Sequence, residues 1–150
     1  MKFSKGSAYA LHALMHMTRH MTQLPISTHS IAKAEGIPAG YLAKLFQQMA
    51  KAGLVKAVTG RQRGYVFAKP PEDICLRELF EIFEGKPLFS DCLLKHCNCG
   101  GTSTTCRIAS EWQEATHKMV QILEEISVAN ATWSHPEHRF ENLPDLLAPI

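Results

Sequence analysis

Four of the five cysteines in this chain lie within one window, residues 92–106, which reads CLLKHCNCGGTSTTC. They are Cys92, Cys97, Cys99 and Cys106, and His96 lies among them. Cysteines that only fill a core recur at the burial period of an element and do not collect in a Gly- and Thr-rich loop. Thiolates and imidazoles are soft ligands that suit iron–sulfur clusters and zinc. The window therefore predicts a metal site or a redox-active group of thiols.

The rest of the chain indicates a reducing environment for these thiols. No stretch approaches the ~18 consecutive apolar residues of a membrane span. His12 and His16 interrupt the apolar positions near the N-terminus, and no small-residue cleavage site follows them, so a secretory signal is not expected. We therefore expect a cytoplasmic protein without a membrane partner, in which clustered cysteines bind metal or do redox chemistry more often than they form structural disulfides.

Charge is divided unevenly along the 150 residues. Residues 1–69 carry ten Lys and Arg residues and a single acid, Glu35, which gives +9, whereas residues 70–150 carry six basic and thirteen acidic residues, which gives −7; the sum is the net charge of +2. A basic half of this kind predicts contact with a polyanion. An enzyme is not expected, because the sequence has no paired acid–base motif, no nucleotide-binding loop and no Cys-x-x-Cys.

Helical periodicity in the basic half predicts three helices, at residues 4–22, 29–35 and 39–52. The sequence Gly-Ile-Pro at residues 36–38 predicts a tight turn between the second and the third. Two short helices joined by such a turn are typical of a helix-turn-helix, whose second helix enters the DNA major groove.

Two strand-like segments, 54–58 and 65–68, flank a basic turn at residues 59–64 and predict a β-hairpin wing. The predicted fold is therefore mostly α with a small β-hairpin wing: a winged helix-turn-helix over residues 1–69, followed by a long C-terminal dimerisation helix. The expected DNA contacts are the exposed residues at the start of the third helix and the basic residues of the hairpin. They are Gly40, Tyr41, Lys44, Gln48, Lys56, Arg61 and Arg63.

The acidic half predicts a linker helix over residues 74–84, capped by Asp73, then the cysteine loop and a helix over residues 107–131. Apolar residues in this last helix alternate in steps of four and three, which is a heptad seam. The seam predicts a homodimer interface, with packing on the first helix of the same subunit as a partial alternative. The seam residues are Ile108, Trp112, Ala115, Met119, Ile122 and Ile126. Residues 70–132 thus form one unit, and residues 133–150 are predicted to be an irregular tail.

Several segments together resemble the Rrf2 family of bacterial transcription regulators. They are MKFSKGSAYALHAL, IAKAEGIPAGYLAKLFQQMAKAGLVKAVTG, DICLRELFEIFEG and CRIASEW, so the resemblance covers about residues 1–130. It implies a homodimeric winged-helix regulator that binds a pseudo-palindromic operator in double-stranded DNA. Many members hold an iron–sulfur cluster in the cysteine loop and sense iron supply, oxidants or nitric oxide. Others lack the cysteines and respond to protein partners or small molecules.

The resemblance implies cluster ligands residue by residue. Cys92, Cys99 and Cys106 look like the three cluster cysteines of the family, with Trp112 in the expected place on the following helix. The spacing departs from the family in two ways, because Cys99 comes one residue late and Cys97 is an additional cysteine.

The fourth ligand stays open. Ala109 and Ala8 stand where some family members have ligands, so Cys97 and His12 compete for this position, with His96 as a further candidate. The expected cofactor is an iron–sulfur cluster, with [2Fe–2S] favoured over [4Fe–4S]. Zinc bound by the four clustered thiolates is the alternative cofactor. A cluster-free or zinc-containing thiol switch, or a partner-responsive regulator of the same fold, is the alternative function.

Overall fold

The computed structural model describes residues 3–92 and 107–131. Within these ranges the chain forms five α-helices and one antiparallel hairpin, in the order helix, helix, helix, hairpin, helix, helix. They are α1 (Lys5–Arg19), α2 (Thr28–Glu35), α3 (Ala39–Lys51), β1 (Val55–Val58), β2 (Gly64–Phe67), α4 (Leu76–Glu84) and α5 (Arg107–Glu125). The predicted mostly-α fold with a hairpin is confirmed. The predictions made for His96, Cys97, Cys99, Cys106 and the tail at 133–150 lie outside the described residues.

Serine residues begin the first two helices. The Ser4 side chain accepts a hydrogen bond from the Ser7 backbone N–H at 3.2 Å, and the Ser27 side chain accepts one from the Ser30 N–H at 3.1 Å. Each bond satisfies a backbone donor that the first turn leaves free. Gly36, with a φ of 69°, ends α2 in the left-handed conformation that glycine adopts without strain. The chain then turns directly into α3, which completes the helix-turn-helix.

The core lies between α1, α2, α3 and α4. The inner face of α3 contributes Leu42, Leu45, Phe46 and Met49, all of them buried. Full burial of such side chains stabilises the fold by roughly 1.5–3 kcal/mol each. Because these residues recur at helical spacing, the opposite face of α3 is left to solvent.

The hairpin is fixed to the segment that joins α1 to α2. Val55 pairs with Phe67 and Val58 with Gly64. Ile26 extends the pairing, since its N–H donates to the Tyr65 carbonyl at 3.2 Å and its carbonyl accepts from the Tyr65 N–H at 2.8 Å. A Cβ atom on Gly64 would lie 2.6 Å from the Ile26 carbonyl oxygen, so only glycine permits this close approach.

Helix α4 begins later than the sequence predicted. Its cap is Cys75, whose sulfur accepts a hydrogen bond from the Glu78 N–H at 3.4 Å. Asp73, the predicted cap, instead ends a single 3-10 turn, Pro71–Asp73. The prediction was wrong because the extended backbone at Ile74 and Cys75 separates this turn from the helix.

Helix α5 ends at Glu125 and not at residue 131 as predicted. The chain then folds back against the segment before α4, where the Leu76 N–H donates to the Ile126 carbonyl at 2.9 Å and the Val128 N–H donates to the Ile74 carbonyl at 2.8 Å. Val128 is 1% exposed. Backbone pairing and burial therefore outweigh the continued helical pattern at this point. Of the helices described, none is both long and apolar enough to cross a membrane.

Candidate nucleic-acid interface and cysteine segment

The four residues predicted on α3 lie on its solvent face. Gly40, Tyr41, Lys44 and Gln48 are all exposed, and the last three border a cleft of about 480 Å³ next to the start of α1. Lysine offers a charge to a phosphate and glutamine an amide to a base edge. A Cβ on Gly40 would meet nothing within 4 Å. Packing within the chain therefore does not require glycine there, which leaves room for close approach of a ligand.

Tyr41 connects this face to α1. Its ring packs edge-on against Tyr9, with 5.8 Å between ring centroids and an interplanar angle of 79°. Its hydroxyl lies 3.2 Å from the position that a Cβ on Gly6 would take. Tyr41 is nevertheless 42% exposed. The solvent face of α3 that carries Gly40, Tyr41, Lys44 and Gln48, here called the recognition face, therefore contacts the first two turns of α1.

The wing presents positive charge. Lys56 on β1 is exposed, as are Arg61, Gln62 and Arg63 at the tip. No carboxylate of the described residues forms an ion pair with Arg61 or Arg63. Two unpaired guanidinium groups at a hairpin tip suit contacts with phosphates or a narrow minor groove.

Glu35 is a residue whose place in the sequence predicts no role. This single acid of the basic half is 6% exposed. One carboxylate oxygen accepts from His16 Nδ1 at 2.7 Å and from Arg19 Nη2 at 2.9 Å, and the other lies 3.7 Å from His12 Nδ1. Burial raises the pKa of Glu35, but its interactions with His12 and His16 and the charge of Arg19 outweigh the burial and lower the pKa to about 2.

This cluster has two consequences. Glu35 is paired with Arg19 inside the fold, so no other acid of residues 1–69 offsets the nine remaining Lys and Arg residues of this half. His12, a predicted ligand, lies 8% exposed in α1 with Nδ1 towards Glu35. The sequence shows histidines every four residues on α1 and a solitary glutamate, but it does not predict that these side chains meet.

Cys92 ends a segment that other elements hold in place. It is exposed. The preceding carbonyl, that of Asp91, accepts a hydrogen bond from Trp112 Nε1 on α5 at 3.1 Å, and the Leu88 N–H donates to Glu81 of α4 at 3.2 Å. An exposed thiol on an anchored segment fits one ligand of a metal group. The described residues contain no group of three or more His, Cys, Asp or Glu side chains that could hold a metal ion.

The start of this segment is also tied to α1. Glu84, the last residue of α4, accepts hydrogen bonds on one oxygen from the Ser4 N–H at 2.8 Å and the Ser7 hydroxyl at 2.7 Å. Burial raises the pKa of Glu84, but these bonds outweigh it and hold the pKa below its ordinary value. Ser7 is fully buried, and Gly6 beside it faces Tyr41. The end of α4, which leads into the segment before Cys92, and the recognition face thus both contact the first turn of α1.

The predicted seam residues of α5 are largely uncovered in the single chain. Ile108 is 50% exposed and Ile122 is 55% exposed. Ala115 is exposed, and Trp112 and Met119 are half-buried. Ile126 lies just past the end of the helix and packs against the core. Apolar side chains that remain this exposed along one helix are typical of an interface.

The chain matches the model of the Rrf2 family, described as an iron-dependent transcriptional regulator, over residues 3–132. It is 27% identical over 128 residues to the HTH-type transcriptional regulator IscR of Aliivibrio salmonicida (strain LFI1238), which covers 85% of this chain and 75% of that protein. The solved structure of T. potens IscR matches with a TM-score of 0.65 and 28% identity, over 87% of this chain and 85% of that one.

A third match supports the fold alone. The structure of CymR, the global cysteine regulator of B. subtilis, aligns with a TM-score of 0.65 and 24% identity, over 87% of this chain and 95% of that one. The relatives are transcriptional regulators, which confirms the expectation that the chain is not an enzyme. The family match spans both the winged helix and α5, and on this ground the chain belongs to the Rrf2 family of transcription regulators.

Proposed function

We propose that this Rrf2 regulator binds a pseudo-palindromic operator as a homodimer and senses redox, iron or nitric oxide state through an iron–sulfur cluster in the 92–106 loop. The observation that carries the proposal is the position of Cys92. It is an exposed thiol at the end of a segment bonded to α5 through Trp112 and to α1 through Glu84. Cys92, the first cysteine of residues 92–106, is therefore linked to α5 and to α1, the two elements through which we propose that the loop controls DNA binding.

The α5 connection leads towards the partner subunit. Trp112 Nε1 donates to the carbonyl that directly precedes Cys92, and the exposed Ile108 and Ile122 lie on the same helix. A change in the loop therefore acts on the helix that we propose as the dimer interface. In a dimer, the orientation of that helix sets the spacing of the two recognition helices.

The α1 connection leads towards DNA. Glu84 binds Ser4 and Ser7, and the turn that contains Ser7 also contacts Tyr41 of α3 through Gly6. A shift of the C-terminal end of α4 would therefore displace the first turn of α1, which packs against Tyr41 of the recognition face. Coupling of this kind requires a loop state that interacts differently with two arrangements of these elements.

Cys92, Cys99 and Cys106 are the proposed cluster cysteines, with His12 or Cys97 as fourth ligand. A metal-ligating histidine commonly gives its other ring N–H to a carboxylate, and Glu35 lies 3.7 Å from His12 Nδ1. This favours His12, bound through Nε2. When bound, a [2Fe–2S] cluster would supply a one-electron redox centre that also reacts with nitric oxide. The alternative is a thiol or zinc switch, favoured by the four thiolates that Cys97 completes.

The test is anaerobic purification followed by iron, sulfide and zinc analysis and a visible spectrum. We expect visible absorbance with iron and sulfide in the wild type and its loss when Cys92, Cys99 and Cys106 are replaced with Ala together. Cys75→Ala is the matched control, since Cys75 caps α4 outside the loop, and should keep the absorbance.

The same samples separate the alternatives. Stoichiometric zinc without visible absorbance would replace the cluster with the zinc switch. Unchanged absorbance and unchanged affinity for promoter DNA in the triple variant would contradict sensing through this loop. For the fourth ligand, His12→Gln should change the spectrum and Cys97→Ala should not; the reverse result would assign Cys97.

A further inference from the structure

A second cleft, of about 660 Å³, separates the tip of the wing from the end of α1 and the start of α2. None of the residues that line it is acidic. Its basic and imidazole side chains are those of His16, His20, Arg61 and Arg63, and its hydroxyls belong to Thr22, Ser27 and Ser30. The lining therefore combines positive charge with hydrogen-bond donors, which is the chemistry that binds a phosphate.

The charge of this cleft is not cancelled from within. Arg61 and Arg63 form no ion pair with a described carboxylate. Glu35 lies behind His16, but His16 and Arg19 already bind it. Among the residues that the structure describes, the two exposed guanidinium groups thus have no counter-charge of their own.

His20 is held so that one nitrogen remains available. Its Nδ1 lies 2.9 Å from the His16 carbonyl oxygen, which only accepts, so Nδ1 carries the proton. Its ring stacks on that of His16 with 4.3 Å between centroids. Nε2 is then an acceptor in the neutral ring and a donor only in the imidazolium, because a neutral imidazole has one N–H.

The hydroxyl pair on α2 adds a further donor. Ser27 Oγ and Ser30 Oγ lie 2.8 Å apart, so one hydroxyl donates to the other. Since each hydroxyl has a single hydrogen, the second hydrogen stays free for a ligand. Both residues lie in or beside the first turn of α2, where backbone N–H groups also favour an anion.

We propose that this cleft holds one phosphate of the DNA backbone, and that His20 binds it as an imidazolium, so that DNA binding takes up a proton. The inference rests on the proposed DNA-binding function. The cleft is continuous with the wing tip, and its charge complements a phosphodiester. The other groups that face His20 are His16, Arg61 and Arg63, with Glu35 and Arg19 behind His16.

The test measures affinity for a duplex that the wild-type protein selects from a random-sequence library, at pH 6 and pH 8. We expect His20→Gln to weaken binding about fivefold at pH 6 and little at pH 8. The salt slope of log K for the dimer should fall by about 1.8 at pH 6 only, since each of its two protomers loses one phosphate contact. His117→Gln, on the exposed face of α5, is the matched control and should change neither quantity.

Ethylation interference identifies the phosphate. Ethylation of one phosphate in each half-site should weaken binding by the wild type but not by the double variant His20→Gln, Ser30→Ala, with circular dichroism confirming that the variant is folded. Equal pH dependence in the wild type and His20→Gln would overturn the inference, as would saturable binding of inorganic phosphate in the cleft that competes with no duplex. Failure of the wild type to select any duplex would instead remove the proposed function, and this inference with it.

Discussion

Glu35 is the residue whose environment departs most from what its type prefers. A buried carboxylate loses its hydration, and this loss is offset only when hydrogen bonds and charges surround the ionised form. His16 and Arg19 share one oxygen of Glu35, and His12 approaches the other. The group therefore stays ionised inside the basic half and ties α1 to α2.

Replacement of Glu35 by Gln should lower the free energy of unfolding by about 2 kcal/mol at pH 7, because Arg19 and the histidines lose a buried anionic partner. The pKa of Glu35 is about 2 in the folded protein, below its ordinary value of 4.5. Its stabilising contribution is thus complete above pH 4.5 and is lost as pH falls towards 2. Urea denaturation at pH 7, 4.5 and 3 should show the difference between wild type and variant shrinking with acidity.

Glu78→Gln is the control for this experiment. Glu78 pairs with Lys69 at 2.6 Å, but about a third of each side chain is exposed, so the loss should stay below about 1 kcal/mol. Equal losses in the two variants, or a Glu35 effect that does not vary with pH, would contradict the account of a buried charge cluster.

The exposed residues of the recognition face could be predicted from sequence, and the Glu35 cluster could not. Leu42, Leu45 and Phe46 repeat at helical spacing, so the opposite side of α3, with Lys44 and Gln48, had to face solvent. The partners of Glu35 depend on how α1 crosses α2, and this crossing is set by packing between residues far apart in the chain. Periodicity within one helix carries no information about it.

At the scale of elements, backbone contacts as well as packed side chains hold the wing in place. Ile26 exchanges two hydrogen bonds with Tyr65, and Gly64 beside it lets the two backbones approach. The position of the wing tip, and with it Arg61 and Arg63, therefore depends on the close approach of Gly64 to Ile26.

Gly64→Ala should destabilise the fold by about 2 kcal/mol and weaken DNA binding, because the new Cβ would lie 2.6 Å from the Ile26 carbonyl oxygen and push the wing away. Gly40→Ala provides the contrast, since nothing lies within 4 Å of its Cβ position. It should leave stability unchanged or raise it by up to about 0.5 kcal/mol. Thermal unfolding and a gel shift on the same samples measure both quantities.

The pair also tests the predicted role of Gly40. Weaker DNA binding by Gly40→Ala, with intact stability, would support close approach of DNA to the α3 backbone. A Gly64→Ala variant with wild-type stability would contradict the account of how the wing is attached.

The boundaries of the acidic half show where sequence patterns are weakest. Cysteine is a poor hydrogen-bond acceptor, so Asp73 was the expected cap, yet the extended backbone before α4 puts Cys75 in that position. No Gly or Pro marks the end of α5. The helix ends because Ile126 and Val128 pair with the backbone at Leu76 and Ile74. The start of α4 and the end of α5 are thus both set by pairing between distant backbone segments. Local sequence patterns do not predict such pairing.

At the scale of the whole molecule, the charge division and the exposed seam suit different tasks. The basic winged helix offers a surface to DNA, while α5 leaves Ile108 and Ile122 uncovered, two heptads apart on one face. A helix whose apolar residues stay this exposed loses burial energy unless a second surface covers it. A second copy of the chain brings the same seam and a second recognition helix.

Ile122→Asp should therefore convert a dimer into a folded monomer. Ile122 is 55% exposed in the single chain, so the protomer should keep its circular dichroism spectrum while the charge prevents the seam from being buried in the dimer. Analytical ultracentrifugation measures the mass of the assembly. Affinity for the selected duplex should fall by roughly 10²- to 10⁴-fold, because the second half-site no longer binds within one assembly.

Gln121→Glu adds a negative charge one residue away, outside the seam, and should leave the dimer intact. A wild-type monomer, or an Ile122→Asp dimer with full DNA affinity, would place the interface elsewhere.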